Sequence, residues 1–351
     1  MIDADMLSSM EMIRDSARSI VKPGDLNRVR HMRHEPPGFD RSVWASMCEM
    51  GWPSLRLSEE KGGSGLGMLA YCALAEELGK GLVPEPLILG SLSAALLKHE
   101  ALEQHLNGER LVLPAWRDNR ETLLPSEPLV LQSGGLTAKK LYVPMACGAD
   151  DFLVIGATQA ALVNMDAPGV TIESADTQDG TTTAIIRLEK TPCMVYEIDP
   201  EPALAEATLA TSSYLLGIME GALDLTLPYL KQRVQFGKAI SQFQILQHMA
   251  VDLKLEIEVA RASIEAAALQ WDIEGPTVGS YAAISRAKAR ASSGVMKVTR
   301  DAIQLHGGIG FTDEHDIGLY LRKAMVVAPQ FGGASLHRKN FARLKPMAEG
   351  V

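Results

Sequence analysis

The sequence predicts an α+β fold whose parts run helical, β, then helical, and three observations carry that expectation. Leu246, Met249, Leu253, Ile257, Ala260, Ile264 and Ala267 recur at steps of three or four, the stripe of a helix that buries one face in a bundle. Between about 110 and 200, short runs of β-forming residues alternate with turn residues, the rhythm of a small antiparallel barrel or sandwich. Two motifs, Arg233-Val-Gln-Phe236-Gly237 and Gln304-Leu-His-Gly307-Gly308-Ile-Gly310-Phe311, interrupt or end long helical stretches with glycines beside groups able to hold phosphate.

The first segment, 1–110, reads as a helical domain. From Phe39 to Gly51 the apolar residues fall at helical spacing and stop at a glycine, a common helix C-cap. The run Gly62-Gly63-Ser-Gly65-Leu-Gly67 has the look of a phosphate loop. No clear strand precedes it and the Gly-Lys-Ser/Thr ending is missing, so it is read as a connector between helices. Another helix is expected from Met68 to Gly79, before the Pro84-Glu-Pro86 break.

The middle segment, 111–200, holds seven candidate strands, at 111–113, 128–131, 140–143, 152–155, 161–163, 170–172 and 184–187. The last segment, 201–351, returns to helix. It holds the stripe above, an alanine-rich helix from about Thr277 to His306, and a final helix from near Gly333. There is no internal repeat and no low-complexity tract.

Composition narrows the function. The chain has 351 residues, 46% hydrophobic and 22% charged, an ordinary globular balance. A formal net charge of −9 disfavours nucleic-acid binding. No apolar run is long enough to span a bilayer, and the acidic start has no signal-peptide core. Cys48, Cys72, Cys147 and Cys193 are scattered, which argues against disulfides and zinc and for a reduced, cytoplasmic setting. His337, Arg338, Lys339, Arg343 and Lys345 form a basic cluster, either the solvated face of a terminal helix or a contact for an anionic ligand such as coenzyme A. No HExxH spacing accompanies His248, His306, His315 and His337, and no GxSxG elbow is present.

The order of segments, with these motifs, resembles the acyl-CoA dehydrogenase family along nearly the whole chain. Gly51-Trp52, the loop Gly62 to Gly67 and Ala75-Glu-Glu-Leu-Gly79 match its first domain. Leu136 to Val143 and Asp166-Ala-Pro-Gly169-Val170 match its β-domain. Tyr229-Leu-Lys-Gln-Arg233-Val-Gln-Phe236-Gly237 and Gln304 to Gly310 match its third. The resemblance implies FAD as cofactor and an acyl-CoA thioester as substrate. A carboxylate takes the α proton, the β hydrogen leaves as hydride to the flavin, and an electron-transferring flavoprotein accepts the electrons. It also implies tetramers in which a neighbouring subunit completes each FAD site.

The residues support those roles. Arg233 offers a planar fork suited to a pyrophosphate. Phe236, three residues on, shares its helix face and can pack on the cofactor. Gly237 follows it in the motif. Gln244 and Gln247 are spaced to donate to ribityl or adenine groups, and Gln304 opens the second motif. Gly307 and Gly308 let a backbone come close to phosphate or ribose.

The catalytic base breaks the pattern. Most of the family carries a glutamate in a Tyr-Glu-Gly-Thr-like turn, where this chain reads Gln330-Phe331-Gly332-Gly333. Phe331 cannot accept a proton. A minority of the family takes the base from an earlier helix, a position that falls here on Ala207, beside Glu206. One residue along a helix turns about 100°, so Glu206 serves as base only if the helix start is shifted; otherwise it is a solvent-facing residue near a helix N-terminus. Glu220, on the same helix, reads as a surface or bundle-edge carboxylate. Leu113-Pro-Ala-Trp116-Arg117 replaces the Thr-Glu-Pro-like segment at the flavin ring; Trp116 reads as core, with covering a flavin face as the alternative. Three functions follow as expectations: a subunit of a mixed acyl-CoA dehydrogenase, in a homo- or heterotetramer with a related subunit; a self-sufficient dehydrogenase with Glu206 or an unidentified carboxylate as base; or a flavin- or CoA-binding protein without activity.

Overall fold

The computed structural model describes residues 4–22, 24–132 and 134–345, so residues 1–3 and 346–351, the ends of the first and last expected domains, lie outside it. Six helices come first: α1 (Ala4–Ala17), α2 (Asn27–Met32), α3 (Arg41–Glu49), α4 (Met68–Lys80), α5 (Leu87–Leu96) and α6 (His99–Leu106). Eight strands follow: β1 (Val112–Ala115), β2 (Val130–Gln132), β3 (Gly135–Pro144), β4 (Asp151–Ile155), β5 (Gln159–Asn164), β6 (Val170–Asp176), β7 (Thr182–Thr191) and β8 (Met194–Glu197). The rest is α7 (Glu201–Gln232), the hairpin β9 (Val234–Gln235) and β10 (Lys238–Ala239), α8 (Gln244–Glu274), α9 (Val278–His306), α10 (Ile317–Val327) and α11 (Ala334–Leu344). No helix among the described residues is long and apolar enough to cross a membrane.

The helix ends follow their sequence signals. Asp40 caps α3 by accepting from the Ser42 N–H at 2.8 Å. Thr277 caps α9 through the Ser280 N–H. The stripe on α8 is confirmed at Leu253, Ile257, Ala260, Ile264 and Ala267, all buried.

The chain forms two compact units that do not follow sequence order. Of the described residues, one unit holds those up to Arg30, Gly67–Val83 and those from Thr208 on. The other holds His31–Leu66 and Pro84–Ala207. In the second unit, β2-β3-β7-β6 form an antiparallel sheet, and β1-β4-β5-β8 form another. The expectation of a purely antiparallel β-domain needs one correction: β1 and β4 pair in parallel, Val112 opposite Asp151. The long connection between them, which carries β2 and β3 of the other sheet, supplies the crossover that a parallel pair needs. The glycine-rich stretch is a connector, as expected. A Cβ on Gly63 would lie 2.2 Å from the Leu57 carbonyl oxygen, so its glycine serves the chain's own packing rather than a phosphate.

In the first unit α4 and α7 approach closely at glycines. A Cβ on Gly217 would sit 1.9 Å from the Glu76 carbonyl oxygen, and one on Gly79 would sit 2.1 Å from that of Tyr214. Gly217→Ala must therefore push the helices apart, and a loss of about 1–3 kcal/mol in urea unfolding is expected. An unchanged midpoint would rule out so close a contact.

Candidate cofactor-binding site

Arg233 follows the last residue of α7 and still closes its last turn, its N–H donating to the Tyr229 carbonyl at 2.9 Å. Its own carbonyl accepts from the Ile240 N–H at 2.8 Å, which closes the β9–β10 hairpin. The expected shared helix face of Arg233 and Phe236 is not formed, because α7 ends at Gln232 and Gln235 pairs with Lys238, leaving Phe236 and Gly237 as a two-residue turn with φ of 54° and 79°. Such a turn wants glycine or asparagine at its first central position. A phenylalanine there costs about 1–2 kcal/mol. Phe236 is nonetheless 92% exposed, so its own chain gains little packing from it. It meets Phe243 edge-on at 6.2 Å, and the Lys238 ammonium lies 4.3 Å from the Phe243 ring centre. An exposed aromatic held in a strained conformation is a feature that functional sites share. The Arg233 side chain is exposed and makes no ion pair among the described residues.

Gln244 opens α8 and is exposed. Gln247, one turn on, donates to the Ser241 carbonyl at 2.9 Å. Gln304 is exposed in the last turn of α9, and its carbonyl accepts the Gly307 N–H. Gly307 has φ of 65° and starts a 3-10 turn that ends at Phe311. Gly308 is informative in another way. Its φ is ordinary, and a Cβ on it would meet nothing within 4 Å. Neither backbone conformation nor packing in this chain requires a glycine there. The open space above it suits the close approach of a ligand. Gly310 contrasts with it, because a Cβ there would lie 2.8 Å from the Ile303 carbonyl oxygen. An unpaired guanidinium and two open glycine turns on one compact unit form a donor set that fits a dinucleotide's phosphates.

The two motifs are linked by rings. Tyr229 stacks on His306 at 4.4 Å, and His315 closes the cluster at 4.5 Å from His306. Burial pushes the His306 imidazole below its ordinary value, and His315 adds to the effect. Burial likewise lowers His315, with Arg30 adding to it.

The turn Gln330–Gly333 holds no ionisable side chain. Phe331 is buried with φ of 54°, and its carbonyl accepts from His337 Nε2 at 2.9 Å. Lys288, wholly buried on α9, donates to the carbonyls of Ala328 at 2.8 Å and Gly332 at 2.9 Å, and to Ser292 Oγ at 2.9 Å. This anchor was missed in the sequence, although Lys288 sits four residues after Ile284 on the buried face, an unusual place for a lysine. Part of the terminal basic cluster is also structural: His337 is buried, and Arg338 donates to Ser293 Oγ at 2.7 Å.

Glu206 lies in the first turns of α7, in the other compact unit from the residues above. Its two oxygens accept from Arg56, at 3.2 Å from Nε and 2.5 Å from Nη2, and Arg56 Nη1 donates to the Leu66 carbonyl at 2.6 Å. Of the two readings of Glu220, the structure favours the bundle edge. Glu220 lies half-buried against Arg261 and 2.9 Å from Lys80 Nζ, because α4, α7 and α8 converge there. Trp116 is buried, as expected.

Residues 8–104 match the acyl-CoA dehydrogenase N-terminal domain, and residues 201–344 match the acyl-CoA dehydrogenase C-terminal domain. The chain is 32% identical to the acyl-CoA dehydrogenase IpdE2 of Mycobacterium tuberculosis over 325 residues, 90% of each chain. Its fold is similar to that of a variant of the Tcur3481-Tcur3483 steroid ACAD, with a TM-score of 0.85, 27% identity and 98% of each chain covered. The ChsE4-ChsE5 complex of Mycobacterium tuberculosis shares the fold at a TM-score of 0.84 and 20% identity, over 100% of this chain and 99% of that one.

Proposed function

We propose that this chain, which belongs to the acyl-CoA dehydrogenase family, is one subunit of a mixed acyl-CoA dehydrogenase whose related partner supplies the catalytic carboxylate. Membership makes it an oxidoreductase acting on acyl-CoA, with FAD as the cofactor that receives hydride from the substrate. In this reading Arg233, Phe236, Gly237, Gln244, Gln247, Gln304, Gly307 and Gly308 grip the FAD.

The observation that carries the reading is the turn Gln330–Gly333. A buried phenylalanine stands where the proton acceptor belongs, and Lys288 and His337 hold the turn in place, so no carboxylate of this turn is available to swing in. A base must also have a lone pair facing the proton it takes. Both oxygens of Glu206 already accept from Arg56, which supports a structural role for it.

Two further features favour a partner subunit. Phe236, Ile309 and Phe311 are exposed around the candidate FAD turns. On α8, Val251, Leu255, Val259 and Ile273 form an exposed apolar seam opposite its buried stripe. Such a face needs cover, and a second helical subunit would supply it. The paired names of the Tcur3481-Tcur3483 and ChsE4-ChsE5 assemblies support a mixed oligomer, and the word steroid in the first supports a sterol side-chain acyl group beside the fatty-acyl alternative. An electron-transferring flavoprotein as acceptor, a tetrameric assembly and a cytoplasmic setting belong to the same reading.

The test is to purify the chain alone and with a related subunit, then measure flavin per chain and acyl-CoA-dependent bleaching. Flavin near one per two chains, with bleaching only in the mixed preparation, is expected. Glu206→Gln in that preparation should leave the bleaching rate within about threefold of the parent. One flavin per chain and bleaching by this chain alone would overturn the mixed reading. A loss of turnover by orders of magnitude in Glu206→Gln, with the bound-flavin spectrum intact, would make Glu206 the base.

A further inference from the structure

We propose that Tyr229 is a positioning residue of the FAD site, holding the Arg233 turn and the Gly307–Gly308 turn at a fixed separation. The inference rests on the proposed FAD role of those turns.

Tyr229 touches both turns at once. Its carbonyl accepts the Arg233 N–H at 2.9 Å, which fixes the backbone from which the guanidinium leaves α7. Its hydroxyl donates to the His306 carbonyl at 3.1 Å. That carbonyl is among the last four of α9, which have no intrahelical donor, so Tyr229 satisfies an oxygen that the helix leaves open. The peptide joining His306 to Gly307 is planar. Anchoring its oxygen therefore sets the direction in which the chain enters Gly307, where φ turns to 65°.

The turn's own backbone bonds, from the Gly307 N–H to the Gln304 carbonyl and along the 3-10 turn, leave its glycines open on one side. A Cβ on Gly307 or on Gly308 would meet nothing within 4 Å, so no neighbour braces either residue on that side. The ring cluster supplies the tether instead. Tyr229 lies 4.4 Å from His306 at an interplanar angle of 25°, and His315 meets Tyr229 edge-on at 5.9 Å. His306 is itself fixed, since Nδ1 lies 2.8 Å from the Ala302 carbonyl and must carry the proton. His315 Nδ1 accepts the Ile317 N–H at 3.2 Å. Both histidines are thus oriented by their own backbone, and Tyr229 joins them to the end of α7.

Tyr229→Phe keeps the ring and removes the hydroxyl. Tyr229→Leu removes both. The control is Thr226→Val on the same helix, which deletes a buried hydroxyl that bonds the Ala222 carbonyl at 2.6 Å. The measurement is FAD affinity by flavin fluorescence, well below the unfolding temperature, in the assembly that retains flavin. Tyr229→Phe should weaken FAD about fivefold, the worth of one neutral hydrogen bond. Tyr229→Leu should weaken it further, and Thr226→Val should match the parent. Parent-like affinity in Tyr229→Phe, while Arg233→Ala loses flavin, would overturn the inference and leave the FAD site standing. Equal losses in Tyr229→Phe and Thr226→Val would overturn it too, as general loosening of α7. Indifference of flavin to Arg233→Ala would instead remove the site on which the inference rests.

Discussion

Replacing Arg261 by methionine is expected to destabilise the protein by about 3 kcal/mol at neutral pH, the scale of breaking a buried ion pair by removing one partner. Arg261 on α8 donates to both oxygens of Glu76, at 3.1 and 3.0 Å, and bonds Glu220 as well. Glu76 is 5% exposed on α4, and Glu220 is half-buried on α7. Methionine fills similar volume and leaves two carboxylates facing each other. Lys80 remains 3.5 Å from Glu76 and 2.9 Å from Glu220, and Arg14 remains 3.5 Å from Glu76, which keeps the loss at the lower end of the range.

The pH dependence gives a second signature. Burial pushes the Glu76 carboxyl up, but the hydrogen bond and charge of Arg261, with Lys80, more than offset it and hold Glu76 at about 2 rather than its usual 4.5. Stability linked to Glu76 is therefore present above about 4.5 and lost as pH falls toward 2. Burial, then the charge of Glu76, raises Glu220. Without Arg261 the upward push of burial prevails at Glu76, which then takes a proton in mild acid. The gap between parent and variant should narrow as pH falls from 7 toward 4 in denaturant titrations. Arg261→Met with Glu76→Gln should recover part of the loss. A variant less than about 1 kcal/mol weaker at neutral pH, or a gap independent of pH, would mean that the pairs are not buried as described.

That network shows where the sequence stops being informative. The face of α8 that carries Leu253, Ile257 and Ala260 was legible from period alone, because burial repeats with the helix turn. Met68, Thr277 and Gly333 marked helix starts through local chemistry, and the structure begins α4, α9 and α11 within a residue of each. Glu220 gave no such local sign. Its partners lie 41 residues away on α8 and on α4, and pairing across elements leaves no periodic trace. The same reason hid Arg56, which meets Glu206 from 150 residues away. It also hid the parallel pairing of β1 with β4. The strand β8 was missed because Met194-Val-Tyr-Glu197 is short and has no fully buried residue to set an alternation. The candidate cofactor residues stand out for the opposite reason. Arg233 and Phe236 are exposed, Phe236 at positive φ, and Gly308 is required by neither backbone conformation nor packing, so their own chain's packing does not account for them. The lack of a carboxylate at Phe331 was legible as well, since a phenylalanine has no proton chemistry wherever it is placed. Its fixation by Lys288 was not.

Arg233→Ala should weaken FAD retention at least about tenfold while leaving the apo fold nearly untouched. A guanidinium fork on a pyrophosphate makes paired, charge-assisted hydrogen bonds worth about 1.5–3 kcal/mol each, and 1.4 kcal/mol is already a factor of ten. The side chain is exposed and unpaired among the described residues, so its removal costs the unliganded fold no more than about 0.5 kcal/mol. Arg233→Lys keeps the charge and loses the fork, so it should fall between parent and alanine. Flavin per chain after gel filtration, in the assembly that holds FAD, reads all three. An alanine variant that binds flavin as the parent does would place the pyrophosphate elsewhere. If lysine matched the parent while alanine failed, charge alone would be the requirement, and the geometric argument for the fork would fall. If alanine lost flavin and unfolded at much lower denaturant even without it, Arg233 would be serving the fold, contrary to its exposed and unpaired position at the end of α7.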